Sequence, residues 1–173
     1  MKVHLTAFLA CLLAFTGLAA QTPQEEDLDL QYATELLKAG GDAPDFTLND
    51  INGNPFSLSS LKGRRAVLVF WASWCPDCRA EVPELKAMYE SADPAKVAFV
   101  SVSFDREFDR FKTFAQEKAL PGIQLFDPQG MKNSDIGAAY HVRWIPSLYL
   151  IDAEGKVEFG TVVAGKIAAA LKK

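Results

Sequence analysis

The chain has 173 residues, with 18 basic and 22 acidic side chains and a formal net charge of −4. Apolar residues make up 49% of it, so the chain is long enough for one well-buried core and short for two. The acidic balance argues against nucleic acid or an anionic membrane surface as a partner, and one short basic turn at residues 62–65 does not reverse it.

The first 20 residues have the pattern of a secretory signal peptide. Lys2 and His4 precede an apolar run from Leu5 to Ala20 that ends in small residues. Because a membrane span needs roughly 20 apolar residues, we expect cleavage near Ala20, export to the periplasm and a mature chain without a stable membrane span. A lipoprotein acylated at Cys11 is the alternative, although the apolar run continues past that cysteine.

Residues 21–40 are predicted to be a flexible tether followed by a short helix. Residues 21–29 are polar and acidic and show no apolar periodicity, which is typical of a tether. Residues 32–38 are predicted to form the helix, which Gly40 and Gly41 would end. The remaining residues, 41–173, are predicted to form a single domain.

The first half of that domain predicts a β-hairpin, a buried strand and a helix. Asn52 and Gly53 tolerate the positive φ of a tight turn, so they predict a hairpin between two short runs. Residues 66–71 are all apolar, as in a strand that is buried on both faces of a sheet. From Pro76 to about residue 91 apolar residues recur at helical spacing, with a kink expected at Pro83.

The second half predicts four strands and three helices. The strands are expected at residues 97–102, 123–126, 147–152 and 156–160, and the helices at residues 107–118, at residues 133–140 and at the C-terminus through residue 171. Asn133 or Ser134 is the expected N-cap of the middle helix. This order predicts an α/β fold, in which helices flank a mixed central β-sheet.

Cys75 and Cys78 lie where the buried strand meets the following helix. Two cysteines with this spacing can close a disulfide across the first helical turn, with the first sulfur facing solvent and the second beneath it. Free backbone N–H groups and the helix dipole favour a thiolate at Cys75, which makes Cys75 the nucleophile and Cys78 the resolving residue. The alternatives are an inert disulfide and a zinc site, although zinc needs four ligands and the mature chain offers only His141 besides.

Residues 70–83, Phe-Trp-Ala-Ser-Trp-Cys-Pro-Asp-Cys-Arg-Ala-Glu-Val-Pro, resemble the active-site signature of TlpA/ResA-type exported oxidoreductases of the AhpC/TSA and thioredoxin superfamily. Residues 43–48 resemble the family's N-terminal hairpin, residues 142–147 its loop before the next strand, and residues 104–126 its helix-and-strand insertion. The resemblance implies a thioredoxin fold and an enzyme that reduces protein disulfides through Cys75 and Cys78. It implies no cofactor. The expected partners are protein thiols and disulfides and an unidentified electron-donor protein, and the expected state is a monomer.

The resemblance also implies which residues contact the substrate. Pro146 matches the family's cis-proline, which lies opposite the cysteines, so the backbone of Ile145 would pair with the substrate chain in strand-like fashion. Trp74 and Pro76, on either side of Cys75, are expected to shape the same surface.

Glu81 matches the family's glutamate three residues after the second cysteine. A partly buried carboxyl one helical turn from Cys78 has a raised pKa and can exchange the Cys78 proton, whereas a solvated surface glutamate is the alternative. Val69 occupies the place of the aspartate that serves this purpose in plain thioredoxin. Asp77 should oppose a thiolate at Cys75, which predicts a reductant rather than a strong oxidant.

Two other functions remain open. A peroxiredoxin-like peroxidase would share the fold, but its reactive cysteine needs a threonine or serine three residues earlier, where Ala72 precedes Cys75. A copper-binding or metallochaperone module would use both cysteines with His141 as a third ligand, because soft sulfur suits copper(I). Such proteins usually space their cysteines by three residues instead of two.

Overall fold

The computed structural model describes residues 27–172. The predicted signal peptide at residues 1–20, which includes Cys11, and the greater part of the predicted tether lie outside the described residues. Within the described range, no helix is both long enough and apolar enough to cross a bilayer.

The described chain folds into one mixed sheet with helices around it. The strands are β1 (Thr47–Asp50), β2 (Pro55–Ser57), β3 (Arg65–Trp71), β4 (Val97–Ser103), β5 (Ile123–Phe126), β6 (Ser147–Ile151) and β7 (Val157–Thr161). The helices are α1 (Leu28–Tyr32), α2 (Pro76–Ala80), α3 (Val82–Ser91), α4 (Phe108–Glu117), α5 (Gly130–Asn133), α6 (Asp135–Ala139) and α7 (Ala164–Leu171). The strand order is β2-β1-β5-β4-β3-β6-β7, with β3, β4 and β5 parallel and the other pairs antiparallel. The predicted α/β fold with a mixed central sheet is confirmed.

Strands β3 and β4 lie at the centre and are buried along almost their whole length. Neighbouring side chains of β3, such as Val67 and Leu68, point to opposite faces and are both fully buried, so both faces of the sheet are covered. Phe70 lies opposite Val102 in the parallel register. Because parallel strands end at the same edge of a sheet, the segments that follow β3, β4 and β5 lie together there. The cysteines follow β3 at this edge.

The N-terminal segment differs from the prediction. The predicted helix at residues 32–38 is wrong, because the helix is α1 and ends at Tyr32. The end of the predicted tether is not free either, since Asp29 accepts hydrogen bonds from Thr161 Oγ1 and from the N–H of Val162, each at 2.8 Å. A carboxylate that binds the domain by hydrogen bonds leaves no trace in apolar periodicity.

The predicted hairpin is confirmed, but its turn is longer than two residues. Leu48 of β1 lies opposite Phe56 of β2. In the turn, the side chain of Asp50 accepts hydrogen bonds from the backbone N–H groups of Asn52 and Asn54, each at 2.8 Å. The carboxylate therefore provides the acceptor for these two backbone N–H groups of the turn. Within the turn, a left-handed backbone is needed only at Gly53, where φ is 88°.

Two predicted helices differ in detail from the structure. The helix after the cysteines is interrupted at Glu81, which separates α2 from α3, and Pro83 lies in the first turn of α3, where its missing N–H is tolerated. The predicted helix at residues 133–140 begins at the predicted cap Ser134, whose Oγ accepts the N–H of Gly137 at 2.7 Å. The turn α5 before it was not predicted.

Candidate active site

Cys75 is the N-cap of helix α2, just beyond the end of β3. Its Sγ accepts a hydrogen bond from the backbone N–H of Cys78 at 3.2 Å, and both cysteines are free thiols. Pro76 fits the first helical position because an N–H there would have no helical partner.

Both cysteines are buried, with 4% of each residue exposed. The expectation that the first sulfur faces solvent is therefore wrong for this conformation. The thiol of Cys75 donates to the carbonyl oxygen of Ile145 at 3.4 Å, so the loop before β6 covers the sulfur. Trp74, which is 46% exposed, and Pro76 form the exposed surface on either side of Cys75.

The loop before β6 contains the cis-proline that the resemblance implies. The peptide bond between Ile145 and Pro146 is cis, and both residues are buried. Ser147 pairs with Phe70 of β3, and its Oγ donates to the carbonyl of Trp144 at 2.7 Å. This pairing places the loop beside the strand that leads to Cys75.

The ionisable groups around Cys78 have raised pKa values. Burial raises the pKa of Cys78, and the neighbouring Cys75 thiol and the Asp77 carboxylate raise it further. Glu81 is half-buried, and burial raises its pKa, helped by repulsion from Glu84 and Asp77. The predicted direction for Glu81 is thus confirmed. Glu81 makes no capping hydrogen bond to α3.

The floor beneath Cys78 is largely apolar. A small cavity of about 20 Å³ is lined by Cys78, Val69, Trp71 and Pro146, among other residues, and none of its lining residues carries a carboxyl group. The lining of this cavity therefore offers no carboxyl group that could exchange a proton with Cys78.

Asp105 is a buried carboxylate that holds the loop before Cys75, and it was not predicted from the sequence. It follows the end of β4 and is fully buried. Its oxygens accept hydrogen bonds from the Ser73 N–H at 2.9 Å, the Ser73 Oγ at 2.7 Å and the Ser103 Oγ at 2.7 Å. Burial of a carboxylate without such donors is strongly unfavourable. The sequence feature that could have indicated it is an acidic residue shortly after a buried strand, because that strand ends at the same edge of the sheet as the strand before the cysteines.

Three contacts, also missed, join the N-terminal segment to the loop before β6. Tyr32 stacks on Trp144 with ring centroids 4.2 Å apart, and Glu35 forms an ion pair with Arg143 at 3.2 Å. The ring Nδ1 of His141 lies 3.0 Å from the Glu35 carbonyl oxygen. Within residues 27–172 there is no group of three or more His, Cys, Asp or Glu side chains that could hold a metal ion.

Comparison with known proteins gives the family. Residues 39–159 match the model of the AhpC/TSA family. The chain is 33% identical over 155 residues to the thioredoxin-like protein YneN of Bacillus subtilis. The aligned region covers 87% of this chain and 83% of YneN. It is 30% identical over 123 residues to the thiol-disulfide oxidoreductase ResA of Bacillus cereus. The aligned region covers 71% of this chain and 69% of ResA. The chain belongs to the AhpC/TSA family.

The thioredoxin fold of this AhpC/TSA protein is confirmed by a solved structure. The thioredoxin domain of a thiol-disulfide oxidoreductase from Bacteroides vulgatus matches with a TM-score of 0.72 at 27% identity, over 79% of this chain and 96% of that domain. Together with the likeness to ResA, this confirms the resemblance seen in the sequence. The matched family region includes both cysteines, Asp105 and Pro146, whereas Tyr32 and Glu35 precede it.

Proposed function

We propose that this AhpC/TSA protein is a thiol-disulfide oxidoreductase that reduces protein disulfides through Cys75 and Cys78. The observation that carries the proposal is the placement of the two thiols at a strand-to-helix junction, with the Cys75 sulfur 3.2 Å from the Cys78 N–H. The name of its relative ResA supports the same chemistry. No contact within residues 27–172 specifically favours the two alternatives, a copper-binding module and a peroxiredoxin-like peroxidase.

In the proposed reaction the Cys75 thiolate attacks one sulfur of a substrate disulfide. The substrate S–S bond breaks, one substrate sulfur leaves as a thiolate that takes up a proton, and Cys75 forms a mixed disulfide with the other. Deprotonated Cys78 then attacks the Cys75 sulfur, which releases the second substrate thiolate and forms the Cys75–Cys78 disulfide. Two electrons thus pass to the substrate without a cofactor. A dithiol electron-donor protein returns them by the same steps in reverse.

Glu81 is proposed to take the proton from Cys78. Because burial raises the pKa of Cys78, this thiol needs a base before it can attack the mixed disulfide. The carboxyl of Glu81 is half-buried and has a raised pKa, which makes it a better proton acceptor than a solvated carboxylate. Its position on the helix, one turn beyond Cys78, suits this transfer.

The substrate is proposed to bind over Trp74 and Pro76 and along the backbone of Ile145 and Pro146. In the free protein the Ile145 carbonyl accepts a hydrogen bond from the thiol proton of Cys75. Once Cys75 has lost that proton or has bonded to the substrate, the carbonyl has no donor. It is then available to accept a backbone N–H of the substrate, as in strand addition.

The proposed direction is reduction. The charge of Asp77 raises the pKa of both Cys78 and Glu81, so added negative charge is disfavoured at this site. Strong oxidants of this class instead stabilise the thiolate form of the reduced pair. We therefore expect a potential nearer to that of thioredoxin, about −270 mV, than to that of the strong oxidant DsbA, about −120 mV.

Insulin reduction and a redox titration test the proposal. Wild-type protein should catalyse reduction of insulin by dithiothreitol, and Cys75→Ser should abolish catalysis. Cys78→Ser should retain one round of attack and accumulate a mixed disulfide, which mass spectrometry detects. Turnover by Cys75→Ser would contradict the assignment of the nucleophile. A potential above about −180 mV, the level of a disulfide isomerase, would contradict the direction.

Export and domain organisation belong to the same proposal. We propose that residues 1–20 direct export and are removed, and that residues 41–173 form the catalytic domain. The support for export is the basic start followed by an apolar run that ends in small residues. Acylation at Cys11 remains the alternative route to the same side of the membrane.

A further inference from the structure

A groove of about 580 Å³ lies beside the exposed Trp74. Its walls come from the segment after β4, from the first turn of α4 and from the segment at residues 128–133. Trp74 and Met131 contribute apolar surface, and the chain directly after Trp74 is the nucleophile Cys75. A polypeptide bound in this groove would therefore contact the residue that precedes the nucleophile.

The groove carries positive charge on a protein that is negative overall. Arg106, Arg110 and Lys132 line it, all three are exposed, and within residues 27–172 none of them takes part in an ion pair. The two acids in the lining are Glu107, which is exposed, and Asp105, which is buried. Because hydrogen-bond donors already surround the Asp105 carboxylate, three cations face one exposed carboxylate.

The wall that carries Arg106 is firmly attached to the active-site loop. Asp105, the preceding residue, binds both the N–H and the hydroxyl of Ser73. The stem of Arg106 also packs over Gly130, where an added Cβ would lie 3.7 Å from the Arg106 Cγ and where φ is 66°. Hydrogen bonds and side-chain packing therefore connect this wall both to the active-site loop and to the opposite wall.

We propose that this groove binds the stretch of substrate polypeptide next to the attacked cystine and selects acidic side chains in it. The inference rests on the proposed disulfide exchange and adds the class of substrate that is favoured. Aspartate or glutamate side chains would meet the three unpaired cations, and the apolar part of the stretch would lie on Trp74 and Met131. Complementary charge at such a rim acts on the association rate and on selectivity.

The test compares short disulfide-linked peptides that differ only in the residues beside the cystine, which are glutamate, serine or lysine. At low salt we expect kcat/KM to be about fivefold higher for the glutamate peptide than for the lysine peptide. The ratio should fall toward one in Arg110→Glu and in Lys132→Glu. It should stay within twofold of wild type in Lys118→Glu, which makes the same charge change at an exposed position at the end of α4 outside the groove. Added salt should reduce the wild-type ratio, because the Debye length falls from about 30 Å at 0.01 M to about 3 Å at 1 M.

Two outcomes would overturn the inference: a wild-type ratio near one, or a ratio that Lys118→Glu lowers as much as Lys132→Glu does. A failure of the proposed function would look different, because then no peptide would be reduced, the serine peptide included. In that case, cysteine-free forms of the same peptides test the groove by fluorescence anisotropy. Tighter binding of the glutamate form, lost in Lys132→Glu, supports the groove, and equal binding of all forms overturns it.

Discussion

The two loops that meet at the cysteines are held in opposite ways. The loop at residues 72–74 is fixed from inside by Asp105, a fully buried carboxylate with three hydrogen bonds. The loop at residues 142–146 buries Val142, Ile145 and Pro146, and the N-terminal segment contacts it from outside. One contact there is the stack of Tyr32 on Trp144, a side chain that is 38% exposed.

The difference indicates which side of the site can move. Hydrogen bonds to a buried carboxylate are expensive to break, whereas exposed aromatic and ionic contacts contribute about 1 kcal/mol or less. The thiol of Cys75 is buried against the carbonyl of Ile145, so part of the protein around the sulfur must move before a substrate can reach it. We expect the exposed contacts of the loop around Ile145 to break more readily, and the loop before Cys75 to stay in place.

The largest effect is expected from removal of Asp105. Asp105→Ala leaves the Ser73 N–H and two buried hydroxyl groups without their acceptor. Each such loss is worth about 1 to 3 kcal/mol, so the free energy of unfolding should fall by about 3 kcal/mol or more. Urea unfolding measures the change, and insulin reduction at a temperature where the variant is still folded should be slowed as well.

Two variants serve as controls for Asp105. Asp105→Asn keeps the size and one acceptor oxygen, so it should recover part of the stability. Asp109→Ala removes an exposed carboxylate from the first turn of α4 and should change the free energy of unfolding by about 0.5 kcal/mol or less. If Asp105→Ala is as mild as Asp109→Ala, the loop before Cys75 is not held by this network.

A smaller effect is expected at the other loop. Tyr32→Ala removes the stack on Trp144, worth about 1 kcal/mol, so the loop should open about fivefold more often. The measurement is the rate at which iodoacetamide alkylates Cys75 at fixed pH, which should rise by that factor. Tyr89→Ala is the matched control, because it breaks an aromatic pair with Phe99, 5.3 Å apart, elsewhere in the fold. Equal alkylation rates in wild type and Tyr32→Ala would show that the stack does not restrain the loop.

Local patterns were sufficient to predict most of the fold. The apolar runs at β3 and β4 reflect burial on both faces, and this burial requires helices on both sides of the sheet. The helix cap at Ser134 and the turn at Gly53 could also be predicted, because each depends only on residues nearby in the sequence. The prediction failed at residues 32–38, beside a helix whose Asp29 binds residues more than 130 positions away.

The site was predictable only where a motif lies in one stretch of chain. The cysteines, Glu81 and Pro146 were identified from such stretches. Asp105 was missed because its partner Ser73 is 32 residues away and comes close only when β3 and β4 pair. The burial of Cys75 was missed for the same reason, since the carbonyl that covers it belongs to a loop 70 residues further on.

Glu81 belongs to neither loop, and its replacement should affect stability least. Its pKa is raised above the usual value of 4.5 by burial, then by Glu84 and Asp77. The folded protein therefore binds this proton more tightly than the unfolded chain does, and the stability due to Glu81 is full below pH 4.5 and is lost as the pH rises through the folded pKa. Glu81→Gln should remove this dependence while changing the free energy of unfolding by less than about 1 kcal/mol.

The same variant should have a clear effect on the pH profile of exchange, which separates a proton acceptor from a surface residue. If Glu81 takes the Cys78 proton, resolution of the mixed disulfide slows as the pH falls through the raised pKa of Glu81. Glu81→Gln should lose this acidic limb and resolve more slowly at neutral pH. Glu84→Gln keeps the acceptor but removes a charge that raises its pKa, so the limb should move to lower pH. A stopped-flow pH profile of single-turnover resolution distinguishes these cases, and a profile shared by wild type and Glu81→Gln would assign the proton transfer to solvent.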